Sequence, residues 1–188
     1  MALTQVAGGM LAGSITSSQI SSVAGSTITG LQSIPKSTLP TGSVLQVVQT
    51  SNNTKTYAST SVSLMSASIT PTSSSSRILI MMSMAFGQAN LNGAVQVRRN
   101  GTVVGTQAAT IYTGSANGFN TADDSIGLPT AYAIGNFCYN TIDSPASTSS
   151  LSYDLYYANS SGTLAFNQQS TDNGGAAVST ITLMEIAS

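Results

Sequence analysis

This 188-residue sequence carries very little charge. Asp, Glu, Lys and Arg make up 6% of its residues, and its formal net charge is −1. A typical soluble domain has about 25% charged residues. The hydrophobic fraction of 41% excludes a generic disordered chain, which combines low hydrophobicity with high net charge. We therefore expect a chain that works inside an assembly, with a surface of Ser, Thr and Asn. The alternative is a soluble extracellular domain with a hydroxyl-rich surface.

The residues on which catalysis most often depends are equally scarce. The chain has no His, no Trp, one Cys (Cys138) and one Glu (Glu185). General acid–base chemistry at neutral pH most often uses His, and zinc sites need Cys or His ligands. Asp123 and Asp124 are adjacent, which suits a solvated turn better than a glycosidase carboxylate pair or a calcium loop. We expect no enzymatic activity, no cofactor and no bound metal.

The sequence also argues against nucleic acid and membrane partners. Five basic residues cannot neutralise a run of phosphates, and Arg98 and Arg99 would point to opposite faces of a strand. The longest uninterrupted apolar run, Ile78–Met82, is far shorter than the ~20 residues of a membrane span. No positive charge precedes Lys36, so no secretory signal is expected. We interpret Cys138 as a small buried side chain.

The sequence divides at a joint rich in Pro and Gly, Lys36–Gly42. We predict an extended N-terminal arm over residues 1–42 and a head domain over residues 43–188. No window shows helical periodicity, and short alternating segments separated by turn signals predict an all-β, antiparallel β-sandwich or jelly roll. The predicted strands are Ser43–Thr50, Arg77–Phe86, Ala94–Arg99, Thr102–Val104, Thr130–Thr141, Leu151–Ala158, Thr163–Gln168 and Val178–Ala187.

One predicted strand, Arg77–Phe86, is apolar on both faces. This pattern is typical of a central strand that is covered on two sides, here by the chain's own sheets and by a partner subunit. Ile80, Met82 and Met84 are therefore predicted core or subunit-interface residues, and Met82→Asp is expected to prevent assembly.

Turn signals predict two hairpins and one long loop. Asn100-Gly101 matches a type I′ turn, and Asn159–Gly162 predicts a second hairpin between the strands on either side. Gly114–Pro129 is the least strand-like part of the head and is predicted to be its longest loop. Tyr and Asn side chains there offer stacking faces and amide groups to a sugar. The candidate receptor-facing or partner-facing residues are Tyr112, Asn117, Phe119, Asn120, Asp123 and Asp124.

The uncharged stretch Gly13–Ile34 fits neither a helix nor a strand. Its aliphatic residues recur at spacings of five, three, five, three and three, which match neither period. Such residues bury little within one chain, but they could meet across three chains or press into a groove on another protein. The predicted attachment anchors are Ile15, Ile20, Ile28, Leu31 and Ile34.

Six segments, in order, resemble a C-terminal module of the fibre and related appendage proteins of tailed bacteriophages. The resemblance spans most of Leu39–Ala187 and is weakest over Ile111–Gly135. The segments are LPTGSVLQVVQT (Leu39–Thr50), SITPTSSSSRILIMMS (Ser68–Ser83), VRRNGTVVG (Val97–Gly105), IDSPAS (Ile142–Ser147), SYDLYY (Ser152–Tyr157) and STITLMEIA (Ser179–Ala187).

The resemblance implies a virion structural protein without enzymatic activity, a homotrimer with a β-sandwich head, assembled in the bacterial cytoplasm. Its implied partners are its own copies, other virion structural proteins and, as a candidate, a host-surface glycan. The stretch AGSIT, echoed by AGSTIT, looks like the short repeats ahead of such heads. The leading hypothesis is a fibre or appendage that docks through its arm. The alternatives are a capsid decoration protein and, less favoured, a stand-alone carbohydrate-binding module.

Overall fold

The computed structural model describes Lys36 and residues 39–87, 93–104, 111–112, 119–121, 124–126, 134–159, 163–169 and 175–188. The predicted anchors Ile15, Ile20, Ile28, Leu31 and Ile34 lie outside this part of the chain. Contacts divide the chain into two units, Met1–Thr38 and Leu39–Ser188. Every strand described below belongs to the second unit.

The described part of the second unit consists of β-strands and their connections, with no α-helix. None of the described residues forms a helix with the length and hydrophobicity of a membrane span. In chain order the strands are β1 Val44–Asn52, β2 Thr56–Ala58, β3 Val62–Ile69, β4 Arg77–Gly87, β5 Gly93–Arg99, β6 Thr102–Val103, β7 Ile111–Tyr112, β8 Phe119–Thr121, β9 Asp124–Ile126, β10 Ile134–Asp143, β11 Leu151–Asn159, β12 Leu164–Phe166 and β13 Ser179–Ile186.

The strands form two antiparallel sheets with jelly-roll order. Sheet A runs β1-β13-β4-β12-β2, with β10 on the opposite edge of β4, and sheet B runs β3-β11-β5-β7-β8-β9, with β6 beside β5. With β2, β6, β8, β9 and β12 set aside and the two-residue β7 kept, sheet A holds the first, eighth, third and sixth of the remaining strands. Sheet B holds the second, seventh, fourth and fifth. This interleaving is that of a jelly roll, and it confirms the predicted antiparallel β-sandwich.

Alternation along each strand sends one face of each sheet into a shared core. On β13, Ile181 and Leu183 are fully buried, whereas Thr180 and Thr182 point outward and are half-buried. Sheet B contributes Leu155 and Tyr157, which are also fully buried. Full burial of each large aliphatic or aromatic side chain contributes about 1.5–3 kcal/mol. The core is thus continuous between the two sheets.

Strand β4 is central in its sheet, and this chain buries its inward face more completely than its outward face. It pairs with β13 on one edge and with β10 on the other. Ile80, Met82 and Met84 point inward and lie in the chain's own core, with no more than 2% of each exposed. Met81 points outward and is 39% exposed. The cover predicted from a partner subunit would fall on the outward face, whereas Met82 lies on the inward face. Met82→Asp would therefore place a charge in the core rather than test an interface.

The predicted turn at Asn100-Gly101 is confirmed. Asn100 has φ of 48° and Gly101 has φ of 84°, and a type I′ turn requires positive φ at both positions. The turn joins β5 to β6, pairing Arg99 with Thr102. Two hydrogen bonds of 2.9 Å also fix it to β11. The Asn100 N–H donates to the Ser152 carbonyl, and the Ser152 N–H donates to the Asn100 side-chain Oδ1.

The hairpin predicted around Asn159–Gly162 is wrong. Strand β11 pairs with β3 and β5 in sheet B, whereas β12 pairs with β2 and β4 in sheet A. The chain therefore crosses from one sheet to the other between these two strands. A short Ser- and Gly-rich sequence is compatible with a hairpin within one sheet and with a crossing between sheets, because packed sheets lie only about 10 Å apart.

Candidate interaction surface

The outward side of sheet A has an aliphatic row that crosses four strands. We call the outward-pointing residues of β1, β13, β4 and β10 the A face. In register, Val47 on β1 lies beside Met184 on β13, Met184 beside Leu79 on β4, and Leu79 beside Ile142 on β10. The outer members are well exposed, Val47 at 53% and Ile142 at 55%. Neighbouring strands are about 4.8 Å apart, so these four side chains form one continuous apolar strip.

The A face changes from apolar to polar along the strands. On one side of the aliphatic row lies a row that includes Val44, which is 50% exposed. On the other side the rows become progressively richer in amide and hydroxyl groups. In order from the apolar end, the rows are Val44-Ile186-Arg77, Val47-Met184-Leu79-Ile142, Gln49-Thr182-Met81-Asn140 and Ser51-Thr180-Ser83-Cys138.

Cys138 belongs to this polar end and is exposed, so its interpretation as a buried side chain is wrong. The period of two along β10 explains the outcome. Its neighbours Phe137 and Tyr139 point inward and pack against the core, which sends Cys138 to the outside.

The outward side of sheet B, which we call the B face, is polar. Strand β3 contributes the exposed hydroxyls of Ser63, Ser66 and Ser68. On the adjoining strands, the Arg98 guanidinium carbon lies 3.4 Å from the centroid of the Tyr156 ring. Arg98 also donates two hydrogen bonds, of 3.0 and 2.7 Å, to the Oε1 atom of Gln96. This cation–π contact covers the aromatic ring, so the B face presents mainly hydroxyl, amide and charged groups. Val103 on β6, opposite Arg98, is an exposed apolar residue on the same side.

The chain's single Glu is a structural residue. Glu185 is fully buried on β13, where Gln46 Nε2 donates to its Oε2 at 2.6 Å. The backbone N–H and the hydroxyl of Thr72 donate to Oε1, each at 2.7 Å. Burial by itself raises the pKa of Glu185, but these donors and the nearby Ser76 hydroxyl outweigh it and hold the pKa below its ordinary value. The Ser76 hydroxyl is buried near the carboxylate and helps to lower the pKa of Glu185, although it does not form a hydrogen bond of good geometry.

A second buried carboxylate joins the two sheets. Asp143 ends β10 in sheet A, and its Oδ2 accepts from Arg99 Nη1 at 2.6 Å and from the Tyr153 hydroxyl at 2.7 Å, both in sheet B. Burial first, and then Asp143, raises the pKa of Tyr153, so the phenol is a stable donor. Both buried carboxylates therefore bind protein groups. No cluster of three or more metal-ligating side chains occurs among the residues that the structure describes.

The predicted loop over Gly114–Pro129 contains two short strands, so it is not one continuous loop. Strands β8 and β9 pair with each other, Phe119 opposite Ile126 and Thr121 opposite Asp124. Of the six candidate loop residues, Tyr112 lies on β7 and Asn120 opposite it on β8, with Phe119 also on β8 and Asp124 on β9. Asn117 and Asp123 fall outside the described residues. Gly- and Asn-rich stretches predict turns, but sheet B extends through the short segments between them.

Sequence reasoning missed the A face because its aliphatic row exists only across strands. Its four members come from distant parts of the chain, and each is an ordinary apolar residue in its own segment. One signal was visible in the sequence: Arg77–Phe86 has apolar residues at its outward positions as well as at its inward positions. Strand register was needed to join Leu79 to Val47, Met184 and Ile142.

No protein-family model and no curated protein matches this chain. Among solved structures, it is similar to a chain in the crystal structure of the infectious bursal disease virus VP2 subviral particle. The two chains are 16% identical with a TM-score of 0.37, and the match covers 76% of this chain and 38% of that chain. At this TM-score the jelly-roll assignment rests on the strand order of the chain itself.

Proposed function

We propose that this protein is a non-enzymatic structural component of a tailed-phage virion, a homotrimeric fibre or appendage. Its N-terminal arm docks on the particle, and its β-sandwich head faces outward, where host-surface glycans are its candidate ligands. The observation that carries this proposal is the difference between the two outer faces of the sandwich. A serine-rich B face suits display to solvent, whereas the exposed aliphatic row of the A face suits contact with another protein.

The charge content supports an assembly role over a freely dissolved one. A net charge near zero gives little colloidal repulsion and favours association. Jelly rolls occur in viral capsid proteins, lectins and cupins, and because a fold does not determine function, the choice among them depends on the surface. The sequence resemblance to phage appendage modules gives the specific setting.

A capsid decoration protein is the second candidate. The A face favours it in one respect, because four adjacent strands present a broad sheet surface that could lie against a shell. In that arrangement the arm would cross the shell, and the head would clamp neighbouring subunits.

The deciding experiment counts copies of this chain on purified particles of its phage and locates them in a low-resolution electron density map. A fibre or appendage gives tens of copies at the tail or at one vertex. Hundreds of copies over the head shell would replace the fibre hypothesis with the decoration hypothesis. Absence from particles, together with glycan-array binding by residues 41–188, would overturn both in favour of a carbohydrate-binding module.

A matched pair of particle preparations tests the arm. Deletion of residues 1–34 removes all five predicted anchors, and we expect the truncated chain to fold but not to join the particle. The control is a chain with an unrelated uncharged segment of equal length in place of residues 1–34. Normal incorporation of either variant would show that docking does not depend on this arm.

A further inference from the structure

The A face of a single chain exposes several apolar side chains to solvent. Val44, Val47, Met81 and Ile142 are among its outward residues, and each is between 39% and 55% exposed. Single exposed aliphatics are ordinary, but a contiguous apolar patch on a soluble protein marks an interaction surface. These four belong to three adjacent rows on neighbouring strands, so they form a patch.

The A face is large enough for a specific protein contact. Four strands about 4.8 Å apart, each with eight residues rising about 3.4 Å, cover roughly 500 Å². Two such faces brought together would bury about 1,000 Å² in total, the size at which specific interfaces begin. Sheets of this kind pack face to face at about 10 Å, as they do inside the sandwich itself.

The charges on this face favour a copy of the same chain as the occupant. Of the described outward residues on its four strands, Arg77 alone is charged. The face therefore has no pattern of charges with which a different protein could be selected. With a net charge of −1, two copies repel each other very little. A two-fold axis along the Val47–Ile142 row would oppose this row to its own copy and place the two copies of Arg77 on opposite sides of the axis.

Strand β1 gives an independent reason to expect this side of sheet A to be covered. It is the terminal strand of the sheet and pairs only with β13 in the described structure. Proteins usually protect an exposed edge strand with charge or proline. None of the nine residues of β1, VLQVVQTSN, is charged or a proline. If a subunit contact covers this region in the assembled protein, one chain taken alone will show an unprotected edge strand beside an apolar face.

We propose that a second copy of this chain packs on the A face, with the row Val47-Met184-Leu79-Ile142 at the centre of the contact. This inference goes beyond the proposed function: a two-fold contact is not the three-fold contact within one homotrimer, so it would join copies that belong to two trimers. It depends on the proposed function only for its biological setting. The B face is left outward in such an arrangement. Ile80, Met82 and Met84 take no part, because they lie in the core of each copy.

Sedimentation of the purified full chain tests the proposal. The test variant combines Val47→Thr with Ile142→Thr. Thr is β-branched like Val and Ile, so the strands should be preserved, while the two substitutions in each of two copies place four hydroxyl groups in the contact. We expect the wild-type chain to associate and this double variant to dissociate at least 100-fold more readily. The matched control is Val103→Thr, which makes the same change at a 43% exposed position on β6 of sheet B and should associate like wild type.

The native thiol gives a second readout that needs no destabilising change. Cys138 is the single cysteine of the chain and is exposed on the A face. It lies four residues from Ile142 along β10, so a spin label there should report one inter-copy distance of roughly 30 Å across the proposed axis. A wild-type oligomer with no coupling under about 50 Å would place the contact elsewhere and overturn the proposal.

Two further results would also overturn it. One is a wild-type chain that stays monomeric at all concentrations, and the other is a double variant that associates like wild type. If the wild type is monomeric but the double variant alone fails to join particles, another virion protein occupies the A face. Copy counts on particles are independent of these outcomes, so failure of the proposed function is distinguishable from failure of this contact.

Discussion

Glu185 shows how a residue type associated with catalysis can serve the fold. Its carboxylate receives donors from Gln46 on β1 and from Thr72 in the connection between β3 and β4. Gln46 also donates to the carbonyl of Thr70 at 2.7 Å. One buried charge therefore connects the edge of sheet A to the segment through which the chain passes between the two sheets. Breaking such a group is costly because its donors are left without an acceptor.

We predict that Glu185→Gln destabilises the head by about 2–3 kcal/mol at neutral pH. The amide keeps one acceptor but turns an N–H group toward donors on Gln46 or Thr72. Because the folded pKa of Glu185 lies below its ordinary value of 4.5, its contribution is complete above about pH 4.5. The contribution disappears as the pH falls through the folded pKa. Urea unfolding of both proteins from pH 7 to pH 3 should therefore show the difference shrinking only in acid.

The control for this substitution is Asp154→Asn, the same chemical change at a half-buried position on the B face. We expect it to alter the free energy of unfolding by less than about 0.5 kcal/mol. Equal effects of the two substitutions, or a Glu185→Gln effect independent of pH, would contradict the structural role assigned to Glu185.

At the scale of elements, the type I′ turn between β5 and β6 does two jobs. It reverses the chain within sheet B, and Asn100 holds the turn against Ser152 on β11. Gly101 sits at φ of 84°, and a Cβ added there would meet nothing within 4 Å. The requirement for glycine is therefore conformational rather than steric.

We predict that Gly101→Ala costs about 1–2 kcal/mol, because an L-residue is strained at this φ. Gly101→Asn should cost less than half as much, because Asn tolerates positive φ best among the other residues. Thermal unfolding of the two variants checks this order. Equal costs for Ala and Asn would show that something other than backbone strain makes glycine necessary.

A contrasting case is Gly87 at the end of β4, where the requirement is steric. A Cβ at this position would meet the backbone carbonyl oxygen of Gln168 and come within 2.9 Å of the Gln169 Cα. Gln168 and Gln169 follow β12, which pairs with β4 at Gly87. Relief of the contact would require the backbone that follows β12 to move.

At the scale of the whole molecule, the sandwich is closed by its two ends. Gly42 donates to the carbonyl of Ala187 at 2.8 Å, and Ala187 donates to that of Ser43 at 2.9 Å. Strand β13 then lies between β1 and β4 from Thr180 to Ile186. All the described strands and both buried carboxylate networks lie within Leu39–Ser188, so this unit contains the interactions that hold the sandwich together.

We predict that residues 39–188 fold alone, with a free energy of unfolding within about 0.5 kcal/mol of that of the full chain. Far-ultraviolet circular dichroism and urea unfolding provide the measurement. The contrasting variant ends at residue 178 and so lacks β13, which should abolish cooperative unfolding because β1 and β4 lose their shared neighbour. A disordered 39–188 fragment would show that the arm contributes to the fold of the head.

Prediction from sequence succeeded where the cause was local and failed where it was not. Strands β5 and β11 follow alternation within one segment, strand β4 follows from an apolar run of strand length, and the Asn-Gly turn follows from two residues. Strand β3 was missed because Ser63, Ser66 and Ser68 make its outward positions resemble a loop. The pairing of β11 and β12 was wrong because proximity in sequence does not decide which sheet a strand joins.

The sequence by itself determined that the chain is all-β, carries little charge and lacks His, because composition and short-range periodicity are sufficient for these conclusions. Only the tertiary structure decided that Val47 points outward while Gln46 points inward to Glu185. The same holds for the joining of four distant aliphatics into the A face. The physical reason is register: a shift of one residue would exchange the faces of a strand, and register is set by pairing between segments that are far apart in the sequence.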